Sequence, residues 1–167
     1  MKTLKNIFFY SLLLIFFNNA SCNKQEIPTG DHTFSCYIDG DLFVPKGSGN
    51  MTSTTPVNDG LFFSKYENYF HTSAKDYKKY TMMFNIVNWE VATFDLVASS
   101  GNFYDHSINH AKVRHNNVWY VSKENSGIIT FIEADSNGET NGTFEFTLYN
   151  ENNENDVVYI TDGKFND

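Results

Sequence analysis

The chain has 167 residues and carries 20 acidic against 12 basic side chains, which gives a formal net charge of −8 at pH 7. This acidic balance argues against a nucleic-acid partner, because phosphates require a basic surface. It also argues against electrostatic binding to anionic lipid headgroups. Only two cysteines are present, Cys22 and Cys36, so an exported domain would be held together by its core rather than by several disulfides.

The first predicted element is a lipoprotein signal peptide at residues 1–21. Two lysines precede an apolar run at residues 7–17, which is too short for a membrane-spanning helix of about 20 residues. Two small residues, Ala20 and Ser21, then place Cys22 where a bacterial lipoprotein signal carries its lipidated cysteine. The sequence therefore predicts lipidation of Cys22 and cleavage of the residues before it.

Two other interpretations of the leader stay open. Asn19 lies three positions before Cys22, where lipoprotein signals prefer an aliphatic residue, so a cleaved signal peptide without lipid is the nearer alternative. The other is that residues 7–17 form a buried helix or strand of the domain. Polar residues on the C-terminal side of the run argue against that interpretation.

Lipidation would add a diacylglyceryl group to the thiol of Cys22, and the new amino terminus can be acylated further. One acyl chain, such as palmitate, binds a membrane only marginally, whereas two or three anchor a protein stably. The predicted location is the cell envelope, anchored to the outer membrane and facing either the periplasm or the exterior. Cys36 then has no partner within the chain; a Cys22–Cys36 disulfide is the alternative.

The mature chain is predicted to begin with a flexible tether and to continue as one domain. Residues 22–31 are polar, contain Pro28 and Gly30 and show no periodicity, which is typical of a tether. Residues 32–167 are the length of a single domain and are predicted to form one β-domain.

From residue 32 onward the pattern is that of short strands separated by turn residues. Asp39-Gly40 lies between two apolar runs and predicts a hairpin, because glycine accepts a positive φ. Residues 46–59 predict a loop, and residues 61–65 and 69–73 predict a second hairpin. The alternation at residues 80–87 predicts a strand with one shared face, made of Tyr80, Met82, Phe84 and Ile86.

The second half of the chain continues in the same way. Residues 89–98 fit either a strand or a helical turn. Asn116-Asn117 predicts a hairpin, strands are predicted at residues 127–134 and 142–149, and a turn is predicted between these two strands. A polar loop is expected at residues 150–156, and Asp162-Gly163 is expected to turn the chain between two short final strands.

The fold class predicted from these elements is all-β. No stretch after the leader keeps a helical period for three turns, and the short strands with frequent turn signals are typical of an antiparallel β-sandwich or a partly closed barrel. Aromatic side chains make up 17% of the chain, and their first use is to fill a core that lacks disulfides.

Three stretches together support a family resemblance. They are FSCYIDGDLFVP at residues 34–45, SGIITFI at residues 126–132, and NGTFEFTLYN followed by ITDGKFN at residues 141–166. In this order they resemble the small exported lipoproteins of Bacteroidota-type bacteria that carry a β-rich domain of unknown function. The resemblance implies a β-sandwich-like domain on an exported lipoprotein, and it supplies no catalytic residues.

Two tryptophans, Trp89 and Trp119, are the candidate ligand-binding residues, since aromatic rings can stack against sugars. Trp119 and Tyr120 are adjacent in a predicted strand and point to opposite faces, so at most one of them joins a flat site. Filling the core is the competing role for these rings.

Two groups of residues resemble parts of cation sites. His106 and His110 have a spacing that suits zinc on a helix, but the residues between them support a helix poorly. The residues of 135–139 resemble part of a calcium loop, although a turn accounts for Asp, Asn and Gly at these positions. Neither group is assigned as a metal site, and no cofactor is predicted.

No residue is assigned a catalytic role, since the chain lacks a Gly-x-Ser-x-Gly or Cys–His signature. The chain is therefore predicted not to be an enzyme but a lipid-anchored cell-envelope protein, acting as an interaction or structural module. A module that binds carbohydrate or a small ligand through exposed aromatics is the alternative. The expected partners are the membrane, reached through the N-terminal lipid, and an envelope protein or glycan.

Overall fold

The computed structural model describes residues 27–46, 60–101 and 105–167. The signal peptide, Cys22, most of the tether and most of the predicted loop at residues 46–59 lie outside these residues. None of the described segments forms a helix long and apolar enough to cross a membrane.

Every regular element in the described residues is a β-strand, as the predicted fold class requires. The strands are β1 (Thr33–Ile38), β2 (Asp41–Phe43), β3 (Leu61–Lys65), β4 (Tyr69–Lys75), β5 (Tyr80–Val87), β6 (Thr93–Asp95), β7 (His110–His115), β8 (Val118–Val121), β9 (Gly127–Ala134), β10 (Thr140–Asn150) and β11 (Asn153–Asn166). The ambiguous stretch at residues 89–98 thus contains the short strand β6.

All strand pairs are antiparallel and belong to one continuous sheet that is not closed into a barrel. Its order is β2-β1-β11-β10-β8-β7-β5-β4-β3, and β9 joins β10 to β6 away from this path. Most of β10 pairs with β9, whereas only its last two residues pair with β8. The sheet therefore folds over on itself along β10, and its two halves face each other as in a sandwich.

The interior between the halves is filled by phenylalanine rings. Phe84 on β5 lies 5.4 Å from Phe144 on β10 and 5.7 Å from Phe165 on β11, measured between ring centroids. Phe70 on β4 lies 5.1 Å from Phe131 on β9. These rings are buried and come from strands of both halves, so they join the two halves into one core.

The alternating pattern predicted for β5 and β10 is confirmed. Met82 and Phe84 are buried in the core, and the residues between them point to the opposite face. Phe146 and Leu148 on β10 are buried in the same way. The predicted Asn116-Asn117 hairpin is also confirmed, with both asparagines at positive φ, at 50° and 65°.

The prediction of a turn at Asp162-Gly163 is wrong, because these residues lie within the continuous strand β11. They form a β-bulge, in which the register of β11 shifts against both β1 and β10. Asp162 has a φ of 51°, and a Cβ on Gly163 would lie 2.3 Å from a ring carbon of Phe144. An Asp-Gly pair suits a bulge as well as a turn, because a bulge also needs a positive φ and a close approach of the backbone to its neighbour.

The prediction of a polar loop at residues 150–156 is also wrong, because the structure has only a short turn there. β10 ends at Asn150 and β11 begins at Asn153, so only residues 151 and 152 connect the two strands. Residues 153–155 are exposed strand residues, so their polarity reflects contact with solvent rather than a loop.

Candidate functional site

One face of the sheet carries three histidines and several cationic side chains. We call it the outer face: the side of β3, β4, β5, β7 and β8 that points away from the aromatic core. On β5 its residues alternate with the buried core residues Met82 and Phe84. Two features are found there: a group of histidines near its centre, of which His110 is buried, and a group of cations at one end.

The strand register brings His71, Asn85 and His110 side by side on β4, β5 and β7. His106 comes from the connection before β7, and its ring stacks on Tyr69, with ring centroids 4.3 Å apart. The rings of His71 and His106 meet edge to face at 5.4 Å. We call His71, His106 and His110 the histidine cluster.

Residues 96–101 and 105–109 cover this part of the outer face and are held to it by hydrogen bonds. Asn85, only 1% exposed, donates to the carbonyl of Ile108 (3.0 Å) and accepts from Nδ1 of His106 (3.0 Å). The hydroxyl of Ser99 lies 3.0 Å from Nδ1 of His110. The backbone N–H of Val97 donates to the carbonyl of Asn109 (2.8 Å). The buried polar groups therefore fix the covering residues in place.

Burial keeps His71 and His110 neutral at pH 7. Desolvation, with His106 and His110 nearby, lowers the pKa of His71 from 6.5 to about 4. Desolvation is also the main cause that lowers the pKa of His110 to about 4, and Lys112 adds to it. Hydrogen bonds from Ser107 and Ser100 lower the pKa of Asp105, in the covering residues, to about 2.

The histidine cluster is not arranged as a metal site. Among the residues that the structure describes, no three His, Cys, Asp or Glu side chains are placed to hold a metal ion. Nδ1 of His71 is shielded from solvent and has no hydrogen-bond partner in the described residues. The geometry suits imidazoles that pack against one another and hold the covering residues in place.

The group of cations lies at the end of the outer face formed by the β4–β5 and β7–β8 hairpins. The register places Lys75, Thr81, Arg114 and Trp119 in one row across β4, β5, β7 and β8. Lys78 extends the group at the tip of the β4–β5 hairpin. We call these five residues the cationic tip.

Aromatic rings position two cations of the tip. The guanidinium carbon of Arg114 lies 5.7 Å from the centre of the Trp119 ring, and Nζ of Lys75 lies 5.6 Å from that of Tyr77. Such cation–π contacts hold a cation without neutralising its charge. Within the described residues, no carboxylate lies within 4.0 Å of the side-chain nitrogens of Lys75, Lys78 or Arg114.

A shallow cleft of about 240 Å³ opens at the cationic tip. Its lining includes Lys78, Thr81, Arg114, Asn116 and Asn117. The backbone of its rim is fixed by the carboxylate of Asp76, which accepts hydrogen bonds from the N–H groups of residues 78, 79 and 80. Although burial raises the pKa of Asp76, these hydrogen bonds outweigh burial and the net shift is downward.

The two candidate tryptophans occupy different environments. Trp89 packs against the core rings of Phe70 (5.5 Å) and Phe131 (5.7 Å), and its Nε1 donates to the carbonyl of Tyr66 (2.7 Å). Trp119 is half-buried on the outer face beside Arg114. One ring packs on the core and the other lies on the outer face, so the structure gives no support to a shared platform.

The remaining predicted residues have the following positions. Cys22 lies outside the described residues, so its lipidation stays a prediction. Cys36 is a free thiol in β1, and burial raises its pKa well above the ordinary value. Residues 135–139 form an exposed turn, in which the N–H of Asn137 donates to the side chain of Asp135 (2.8 Å).

Sequence patterns did not reveal several residues of the outer face, notably His71, Asn85, Lys75 and Arg114. His71 is 35 residues from His106, and Lys75 is 39 residues from Arg114. Only the pairing of β5 with β7 brings them together, and that pairing passes over β6. The chain itself offers one partial signal, the local excess of lysine at residues 75–79.

Fold and site together define an all-β protein of sandwich type with a cationic tip and a covered histidine cluster. A scan of protein-family models gives no match, and neither the curated proteins nor the solved structures yield a similar chain. The resemblance to exported lipoproteins of Bacteroidota-type bacteria therefore stays a prediction.

Proposed function

We propose that the chain is a lipid-anchored cell-envelope protein that acts as a non-enzymatic interaction module. Acyl chains on Cys22 hold it at the outer membrane, and residues 32–167 form the domain that meets its partner. The leader pattern at residues 1–22 supports the anchor: a basic start, a short apolar run and small residues before the cysteine.

The observation that carries the interaction role is how the buried polar groups are used. Asn85 and His110 are buried beneath the covering residues and hydrogen-bonded to them. They are therefore occupied in holding the fold rather than open to a substrate. The core beneath them is filled by tightly packed rings such as Phe84 and Phe144. A partner would therefore contact the exposed surface of the domain rather than its interior.

A carbohydrate- or small-ligand-binding module is the second candidate function. One observation favours it: Trp119 is half-buried beside the polar cleft of the cationic tip. Trp89 favours it less, because its ring packs on the core and its Nε1 is already hydrogen-bonded.

The anchor is tested by feeding radiolabelled palmitate to cells that make the wild type, Cys22→Ala or Cys36→Ala. We expect label in the wild type and in Cys36→Ala, since Cys36 is buried, and no label in Cys22→Ala. Equal labelling of the wild type and Cys22→Ala would overturn the anchor.

The interaction role is tested by capture from envelope material, with a glycan array alongside. A captured envelope protein that is released on competition with the unlabelled domain supports an interaction module. A glycan hit without a protein partner favours the second candidate.

A further inference from the structure

The cationic tip contrasts with the charge of the rest of the chain. Nine acidic residues and a single base, Lys164, follow residue 130. Lys75, Lys78 and Arg114, in contrast, come together at one end of the outer face with no carboxylate from the described residues within salt-bridge distance. A cluster of three cations on an otherwise acidic protein is a local site for an anion.

The spacing of these cations calls for more than one anionic group. Lys75 and Arg114 are separated by two strand spacings, which is about 10 Å between their backbones. One carboxylate or sulfate cannot contact both when the side chains lie over their own rings. Arginine binds a planar or tetrahedral anion through two parallel hydrogen bonds, whereas lysine acts as a point charge. The site therefore fits an extended ligand with repeated negative groups.

The groups between the cations suit the uncharged parts of a sugar. Thr81 lies in the row between Lys75 and Arg114, and its hydroxyl can donate and accept hydrogen bonds. The amides of Asn116 and Asn117 line the same cleft and can do both as well. The half-buried ring of Trp119 ends the row and lies beside the cations of Arg114 and Lys112.

The position of the tip separates it from the tether. His32, where the domain begins, pairs with Asp167 (3.1 Å), and Asp167 pairs with Lys65 at the end of β3 (3.0 Å). Lys65 pairs in register with Phe70 near the start of β4, whereas Lys75 is the last residue of β4, about 17 Å further along the strand. A chain anchored through residue 22 would carry the tip on the side away from the tether, which disfavours lipid headgroups as its ligand.

We propose that the cationic tip binds an acidic polysaccharide, a chain of sugars that bears repeated carboxylate or sulfate groups. Arg114 and Lys75 contact successive anionic groups, Lys78 adds charge at the rim, and Thr81 with the two asparagines meets the hydroxyls between them. This inference rests on the proposed interaction module for its biological setting. It commits to a glycan ligand, whereas anionic lipid, nucleic acid and a second copy of this acidic chain are competing occupants.

The test compares charged and neutral polymers with the same backbone. The full chain, purified in detergent so that any lipid is retained, is titrated with polygalacturonate and its methyl ester, and with dextran sulfate and dextran. We expect binding to at least one charged polymer and not to its neutral counterpart, with affinity that falls as salt is raised. Arg114→Gln should weaken binding about tenfold, since it removes a bidentate anion contact.

Lys164→Gln is the matched control, because it removes one charge from an exposed position on β11. It should leave the affinity unchanged, and circular dichroism checks that both variants fold. The proposal is overturned if neither charged polymer binds, if the neutral polymers bind equally, or if Arg114→Gln and Lys164→Gln behave alike. Tighter binding to anionic vesicles or to single-stranded DNA, or polymer-independent self-association, would also overturn it. Palmitate labelling is a separate readout, so failure of the anchor and failure of the glycan site are distinguishable.

Discussion

At the scale of single residues, Phe84 is one of the rings that join the two halves of the sandwich. Its ring centroid lies 5.4 Å from that of Phe144, 5.7 Å from Phe165 and 6.1 Å from Phe70. Phe62, on β3, is a phenylalanine in the opposite situation, with 57% of its surface exposed. The two residues allow the contribution of burial to be separated from that of the aromatic ring itself.

We predict that Phe84→Ala lowers the free energy of unfolding by about 3–5 kcal/mol, because it leaves a cavity among packed aromatic rings. Phe62→Ala should change it by less than about 1 kcal/mol. Urea denaturation followed by circular dichroism measures both. Similar losses in the two variants would mean that the rings do not form the core described above.

His71 is a partly buried histidine, and its titration links stability to pH. Its pKa is lowered to about 4 in the folded chain, whereas an unfolded histidine titrates near ~6.5. Between these two pH values the unfolded chain binds a proton that the folded chain does not. The free energy of unfolding therefore falls as the pH drops from ~6.5 towards 4, and His71 contributes nothing to this pH dependence above ~6.5.

His71→Gln should make that pH dependence shallower. Between pH 7.5 and 4.5 we expect the variant to lose less stability than the wild type, by about 1–3 kcal/mol. The comparison above pH 7.5 is the internal control, since both curves should be parallel there. Parallel curves over the whole range would show that His71 is protonated as easily in the folded chain as in the unfolded one.

At the scale of elements, the outer face depends on how residues 96–101 and 105–109 are held. Asn85 is one attachment, through its bonds to the carbonyl of Ile108 and to Nδ1 of His106. Asn155 is an exposed asparagine in β11. Replacing it with alanine is therefore a control for the loss of an asparagine side chain that does not hold these residues.

We predict that Asn85→Ala destabilises the fold by about 1–3 kcal/mol, because two buried polar groups lose their partner. The amide of Val97, which donates to Asn109, should exchange its hydrogen faster than in the wild type, while amides of β10 change less. Asn155→Ala should leave both readouts within about 0.5 kcal/mol of the wild type. An Asn85→Ala protein with unchanged exchange at Val97 would contradict the attachment.

Hairpins and strand faces could be predicted from the sequence because their signals are local. Asn116 and Asn117 adopt the positive φ that their residue type favours, and the alternation of β5 identifies its buried face. The bulge at Asp162-Gly163 could not be told from a turn, since both need the same backbone conformations. Only the path of the neighbouring strands distinguishes the two.

At the scale of the whole molecule, the candidate site could not be predicted because it depends on pairings between distant strands. Lys75 and Arg114 share a row only because β5 pairs with β7, and β6 pairs instead with β9 in the other half of the sandwich. Of the predicted ligand-binding residues, Trp119 lies in that row, whereas Trp89 packs against the core. A prediction based on aromatic residues alone therefore identified Trp119 but not the cations Lys75 and Arg114 of the same row.

The tether and the cationic tip lie at opposite ends of the domain. The tether enters beside Asp167 and Lys65, β1 leads away from it, and the cationic tip lies at the far end of β4. An anchor on Cys22 would thus display the tip away from the membrane. This arrangement links the predicted lipid to the proposed glycan site, although each is tested by its own measurement.

The mass of the protein purified with detergent from the cell envelope tests lipidation of Cys22 most directly. We predict a chain that begins at Cys22 and whose mass is increased by a diacylglyceryl group, with or without a further acyl chain on the amino terminus. A mature chain that begins at another residue, or that begins at Cys22 with no added mass, would contradict the lipid anchor.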